Sequence, residues 1–207
     1  EDSIMIDLNQ KPYKRSRGMY IAFAALEYLI AILISGSFLA RLTGELGISD
    51  GLTGIISSFV SLGCLFQLIS MFIKPKSSKS FSLYMTLVNN LLFMCLYILP
   101  LLDLPKSVST VAFVVIILLA YMVYNIANPS KTNWFMSLVD DRQRGIFSAN
   151  KEIISLICGI LFTFIMGRVI DHYKEIGELR TAFVICAVCI FVVGTASLLT
   201  MVFTVET

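Results

Sequence analysis

Six stretches of roughly 20 or more mostly apolar residues follow one another along this chain, each long enough to cross a hydrocarbon core about 30 Å thick. They run from about 19 to 42, 52 to 73, 81 to 102, 108 to 128 or beyond, 146 to 170, and 181 to 205. The second, third, fourth and sixth carry no charged side chain. The first holds one acid, Glu27, and the fifth carries Lys151 and Glu152 near its start. A membrane barrel would instead read as alternating segments of about 10 residues. The expected fold is therefore all-α: a polytopic membrane protein with a short N-terminal segment, 1–18, and a six-helix transmembrane domain, 19–205.

Composition agrees. Of 207 residues, 57% are hydrophobic and 14% charged, against about 25% charged in soluble domains. A soluble chain of this size could not keep so much apolar surface from water. A secreted disulfide scaffold, a nucleic-acid binder and an acidic disordered tail are excluded. The net charge of +2 supports no bulk electrostatic function. The expected partners are the lipid bilayer and a small solute, with no nucleic acid. The five cysteines fall inside the spans and read as small buried residues. The one histidine, His172, is placed in an outer loop, and no Cys/His pair has metal-ligand spacing, so neither a metal nor a cofactor is expected.

Short-loop lysines and arginines set the orientation. Lys11, Lys14, Arg15, Arg17, Lys74, Lys76, Lys79, Lys131, Arg142, Arg144 and Lys151 fall on one side, and the other five of the 16 basic residues on the opposite side. The basic side reads as cytoplasmic, with both chain ends inside and the protein multi-pass in the plasma membrane. Two three-helix units entering from opposite sides would form an inverted repeat, an inference from hydropathy alone.

Polar residues inside the spans point to function. Glu27 lies about 12 Å along the helix from Met19 at 1.5 Å per residue, and a charge at such depth must face protein or water. It reads as a proton- or substrate-coupled acid, against the blander reading of helix–helix glue paired with an Asn, Tyr or Lys. In the fourth span Tyr121, Tyr124, Asn125, Asn128 and Lys131 recur at helical spacing, an aromatic–amide–amine stripe expected on one face of a cavity wall. Pro129 either ends or kinks that helix. Lys131 is an intramembrane cation if the helix continues and a cytoplasmic lysine if it stops. Gln67 reads equally as site or glue, and Asn89 and Asn90 as glue. Ser35, Gly36 and Ser37 are expected to permit close backbone approach. The sixth span, with Phe183, Val184, Ile185, Val192 and Leu199, reads as a lipid-facing scaffold.

The run Ser137-Leu-Val-Asp-Asp-Arg-Gln-Arg-Gly-Ile-Phe-Ser-Ala-Asn-Lys-Glu-Ile153 resembles the connection between helices four and five of major facilitator superfamily transporters. There an acidic–basic cluster ending in Arg-Gly opens helix five. Gly47 to Gly54 resembles that family's outer turn into helix two. The family's signature between helices two and three, G-x-x-x-D-R-x-G-R-R, is replaced here by Lys74-Pro-Lys-Ser-Ser-Lys-Ser80, which keeps the basic charge without the Asp or the Gly. The proline–glycine motif of some antiporters is also absent from helix five. The resemblance implies secondary active transport by alternating access, not enzymatic catalysis. It implies that helices one and four line a cavity, two and five meet a second half, and three and six face lipid. It further implies that Lys74, Lys76, Lys79, Asp141, Arg142 and Arg144 gate the cytoplasmic side. The chain would then be the N-terminal half of a longer protein whose C-terminal six-helix half is missing.

Other six-helix classes fit less well. An aquaporin needs two Asn-Pro-Ala motifs, and Asn128-Pro129-Ser130 is a single near match. An intramembrane serine protease needs a His beside its nucleophile, and a voltage sensor needs an Arg-rich helix. The remaining alternative is a non-transporting membrane scaffold or assembly subunit in which Glu27 is structural.

Overall fold

The computed structural model describes residues 11–70, 72–73 and 75–206, the side chain of Lys11 excepted. Residues 1–10 and Lys74, which belong to the expected N-terminal segment and gating set, lie outside the described residues. Seven α-helices make up nearly all of the rest: α1 Lys11–Leu33, α2 Gly36–Glu45, α3 Asp50–Ser70, α4 Ser78–Ile98, α5 Lys106–Met136, α6 Arg144–Glu175 and α7 Leu179–Val202. Six of them are long and apolar enough to cross a membrane; α2 is not.

The first span departs from the expected single helix. It breaks between Leu33 and Gly36, where Ser35 is extended and Gly36 sits at φ +52°. A side-chain-bearing residue is disfavoured there by roughly 1–2 kcal/mol. A Cβ on Gly36 would meet nothing within 4 Å. The Ser35-Gly36-Ser37 run therefore turns the chain and does not bring two backbones together. Close approach occurs elsewhere, at Gly63 against Asn125, Gly159 against Tyr28 and Gly194 against Asn90. The broken end is stitched from the side. Tyr97 on α4 donates its hydroxyl to the Leu33 carbonyl, and Tyr121 on α5 donates to the Ile34 carbonyl at 3.4 Å.

The fourth span resolves the alternative left open by Pro129. Helix α5 runs through that proline to Met136 and carries Lys131 into the bundle. Helix α6 likewise continues to Glu175, so His172 belongs to its last turn and not to a loop. At about 46 and 48 Å, α5 and α6 exceed a 30 Å core, so they tilt or project beyond it. The first turns of α1 are equally part of the bundle. Ser16 is fully buried and accepts from the Val205 amide at 3.1 Å, so residues 12–18 pack with the bundle.

Packing gives each helix its place. Helix α1 packs on α6 and α7, α5 packs on α3 and α4, and α4 packs on α7. The main core gathers Phe38, Leu42, Ile56, Phe93, Leu96, Tyr97, Phe113, Ile117, Phe183 and Ile190. A second cluster at the basic end stacks Tyr20 on Phe135, ring centroids 4.2 Å apart, beside Trp134 and Met201. Helix α7 faces outward on one side only, where Val184 is exposed. Its Ala182, Phe183, Cys186, Ile190, Ser197 and Met201 are buried while Val192 and Leu199 face outward. Helices α3 and α6 are the least buried of the six. The cysteines also differ from expectation: Cys186 is buried, whereas Cys64 and Cys95 are exposed on the outside of the bundle. In lipid a small apolar side chain has no need of the core.

Candidate functional site

Two charged residues distant in sequence meet inside the bundle. Lys131 donates from Nζ to Oε1 of Glu27, joining α5 to α1. The ammonium also lies 5.2 Å from the centroid of the Phe23 ring and 4.9 Å from that of Tyr124. An ion pair flanked by two aromatic faces offsets much of the cost of holding charge at membrane depth. Only a helix continuing past Pro129 can deliver the lysine there.

A second pair sits one helix away. Lys151 reaches its neighbour Glu152 at 2.9 Å and lies 5.5 Å from the Tyr20 ring centroid. Both residues fall two turns into α6, and both face the same cavity as Glu27. Sequence reading left Lys151 with the cytoplasmic lysines, although its depth within a long helix was the available signal.

The cavity holds about 440 Å³ and is lined from five of the long helices, α3 contributing Val60. Helix α1 supplies Tyr20, Phe23, Glu27 and Tyr28; α4 supplies Asn89, Asn90 and Phe93; α5 supplies Tyr121, Tyr124, Asn128 and Lys131; α6 supplies Lys151, Glu152 and Ser155. Ser35, at the break in the first span, also lines it. Tyr28 is held against α6 because Gly159 has no side chain, where a Cβ would stand 2.4 Å from the ring.

The expected stripe on α5 divides. Tyr121, Tyr124, Asn128 and Lys131 reach the cavity. Asn125 does not: its amide donates to the Tyr121 carbonyl at 2.8 Å and its oxygen accepts from Gln67 at 3.2 Å. Six residues separate Asn125 from Lys131, which at about 100° per residue places them roughly 120° apart around the helix. Gln67 and Asn125 are thus interhelical glue between α3 and α5, and neither lines the cavity.

The α4 amides divide in the opposite sense. Asn90 donates to the Gly194 carbonyl and the Ser197 hydroxyl, each at 3.5 Å. The side-chain oxygen of Asn89 and the hydroxyl of Ser155 are buried without a hydrogen-bond partner, and both residues line the cavity. Buried polar groups left open carry a cost of about 1–3 kcal/mol each. Both atoms are closed off from the cavity by their own packing, so a ligand or water reaches them only when the side chains turn.

The expected gating residues do not gather into one cluster. Lys79 donates to the carbonyls of Val202 and Thr204 at 2.8 and 2.6 Å, closing the C-terminal end of α7. Asp141 pairs with Arg144 at 2.8 Å within one turn, and the Arg142 amide donates to the Asp140 carboxylate at 2.9 Å. Lys76 is exposed. The opposite end is tied by Arg41 to Asp171 at 2.7 Å and by Arg180 to both oxygens of Asp103. The Arg180 guanidinium holds the Asp103 carboxyl below its ordinary pKa. Among the described residues no group of three His, Cys, Asp or Glu could hold a metal ion.

Comparison of the chain with protein-family models, with curated proteins and with solved structures gives no match.

Proposed function

We propose that the chain is a six-helix half of an alternating-access transporter of the major facilitator type, carrying a small solute across the plasma membrane with its basic end in the cytoplasm. The observation that carries this reading is the Glu27–Lys131 ion pair, set in a cavity between membrane-length helices. A scaffold gains nothing from such a costly group that a Leu would not give it more cheaply.

Helix pairing supports the reading. Exchanging the first three spans for the last three, in order, turns the α1–α6 contact into α5–α3 and the α1–α7 contact into α5–α4, and leaves α4–α7 unchanged. An inverted repeat produces such a pattern, although the α6–α7 contact has no α3–α4 counterpart of comparable strength. The low burial of α3 and α6 suits helices that meet a second six-helix half across the open side of the cavity.

In this mechanism a solute entering the cavity competes with Lys131 for the Glu27 carboxylate. A coupled proton has the same seat, since protonating Glu27 releases Lys131 and lets the two walls rock. Cysteine accessibility tests the proposal in the intact protein. With native cysteines replaced, Asn128→Cys in sealed right-side-out and inverted vesicles should react with a membrane-impermeant thiol reagent from both sides, and less so when solute is bound. Reaction from one side only under every condition would favour the non-transporting scaffold.

A further inference from the structure

We infer that the cavity selects an organic cation, an ammonium carried on an aromatic or apolar body; the inference rests on reading the cavity as a solute site. Its two ion pairs are asymmetric in the same sense. The side chain of Lys131 is 5% exposed against 25% for Glu27, and that of Lys151 is 17% against 63% for Glu152. Each ammonium is turned against aromatic rings, Lys131 against Phe23 and Tyr124 and Lys151 against Tyr20. The cavity is therefore neutral by count and anionic by accessibility. The bond from Lys131 engages Oε1 of Glu27, and among the described residues Oε2 receives none.

The uncharged groups agree. Asn89 and Ser155 line the cavity, and their unpartnered side-chain oxygens can accept a hydrogen bond from an ammonium or amine N–H once the side chains turn toward it. Tyr28 also lines the cavity, and a tyrosine ring can attract a cation. An anion would meet the more exposed carboxylates first. A volume of about 440 Å³ falls within the range of small-molecule pockets, roughly 300–1,000 Å³.

A matched trio of probes tests this by equilibrium binding to the intact protein in nanodiscs, with no gradient imposed. The probes are 4-phenylbutylamine, 4-phenylbutanol and 4-phenylbutyrate, alike in shape and different in charge. The expected result is saturable binding of the amine, at least about tenfold tighter than either analogue. Because Glu27→Gln alone strands Lys131 and can fail to fold, the double variant Glu27→Gln/Lys131→Met is measured beside it. Its tenfold preference should fall to near parity. Equal binding of all three probes, tighter binding of the carboxylate, or a preference that survives in the folded double variant overturns the inference. Amine-selective binding without two-sided labelling of Asn128→Cys would sink the transport reading and leave this one standing. Two-sided labelling without charge preference would do the reverse.

Discussion

The hydroxyl of Tyr97 on α4 donates to the carbonyl of Leu33, the last residue of α1 before the first span breaks. Both residues are buried, at 0% and 1% exposure. A helix that stops inside a bundle leaves carbonyls with no amide to receive, and here a neighbouring helix supplies a donor. Tyr97→Phe should therefore lower stability by about 1–3 kcal/mol, the cost of a buried group left unpaired. Tyr121→Phe, at a longer 3.4 Å contact, should cost less. Thermal unfolding in detergent compares the two, and an equal effect would count against the stitching role.

Breaking the central ion pair should cost more than deleting it. Lys131 is nearly enclosed, so Glu27→Gln strands a buried cation, at about 3–5 kcal/mol for loss of one partner. Adding Lys131→Met should restore most of the folded yield, since an apolar replacement of a buried pair is often neutral. Solute transport should stay absent in both variants. Recovery of transport in the double variant would remove the pair from the mechanism.

Gly159 and Gly167 lie two helical turns apart on α6 and make a controlled comparison. A Cβ at Gly159 would stand 2.4 Å from Tyr28 Cε1 and 3.0 Å from Ile32 Cδ1, whereas one at Gly167 meets nothing within 4 Å. Gly159→Ala should push the Tyr28 ring into the cavity, at about 1–3 kcal/mol of overpacking, and slow labelling of Asn128→Cys several-fold. Gly167→Ala should be neutral or stabilising by up to about 1 kcal/mol through helix propensity. Labelling rates that match in the two variants would show that Tyr28 does not bound the cavity.

The Asp103–Arg180 contact gives a pH dependence of known sign. Asp103 has its carboxyl held below the ordinary value by Arg180, so its contribution is complete above the ordinary carboxylate value of about 3.9. It fades as pH falls from there through the lowered value. The pair is exposed, so salt should weaken the effect. Asp103 also sits at φ +42°, a conformation Asn tolerates. Asp103→Asn should therefore keep the turn while flattening acid unfolding below about pH 4. Superimposable acid curves for the two proteins would remove this contact from the pH response.

The six spans were legible because a bilayer imposes one length on every crossing. Glu27 stood out for the same reason, as a charge where lipid tolerates none. Two features were hidden because each depends on contacts far along the chain. The break at Gly36 rests on tyrosines from two later helices. The division of the α5 stripe rests on which side of α5 meets Gln67. Lys151 and Glu152 looked like the edge of a span because hydropathy averages over a window, whereas α6 begins at Arg144 and places them two turns inside. Pro129 concealed Lys131 in the same way, since only packing decides whether a proline ends a helix or is carried through it.

The 104 residues that separate Glu27 from Lys131 set a problem of timing during synthesis. At about 5–20 residues per second, the acid waits roughly 5–20 s before its partner has been made. Helix α1 waits longer still, since the helices it packs on, α6 and α7, are made after Lys131. During that interval the carboxylate must be kept from lipid by a proton, by water in the insertion channel or by a chaperone. The pair that equips the finished cavity thus also makes the first helix the one most dependent on help while the bundle is assembled.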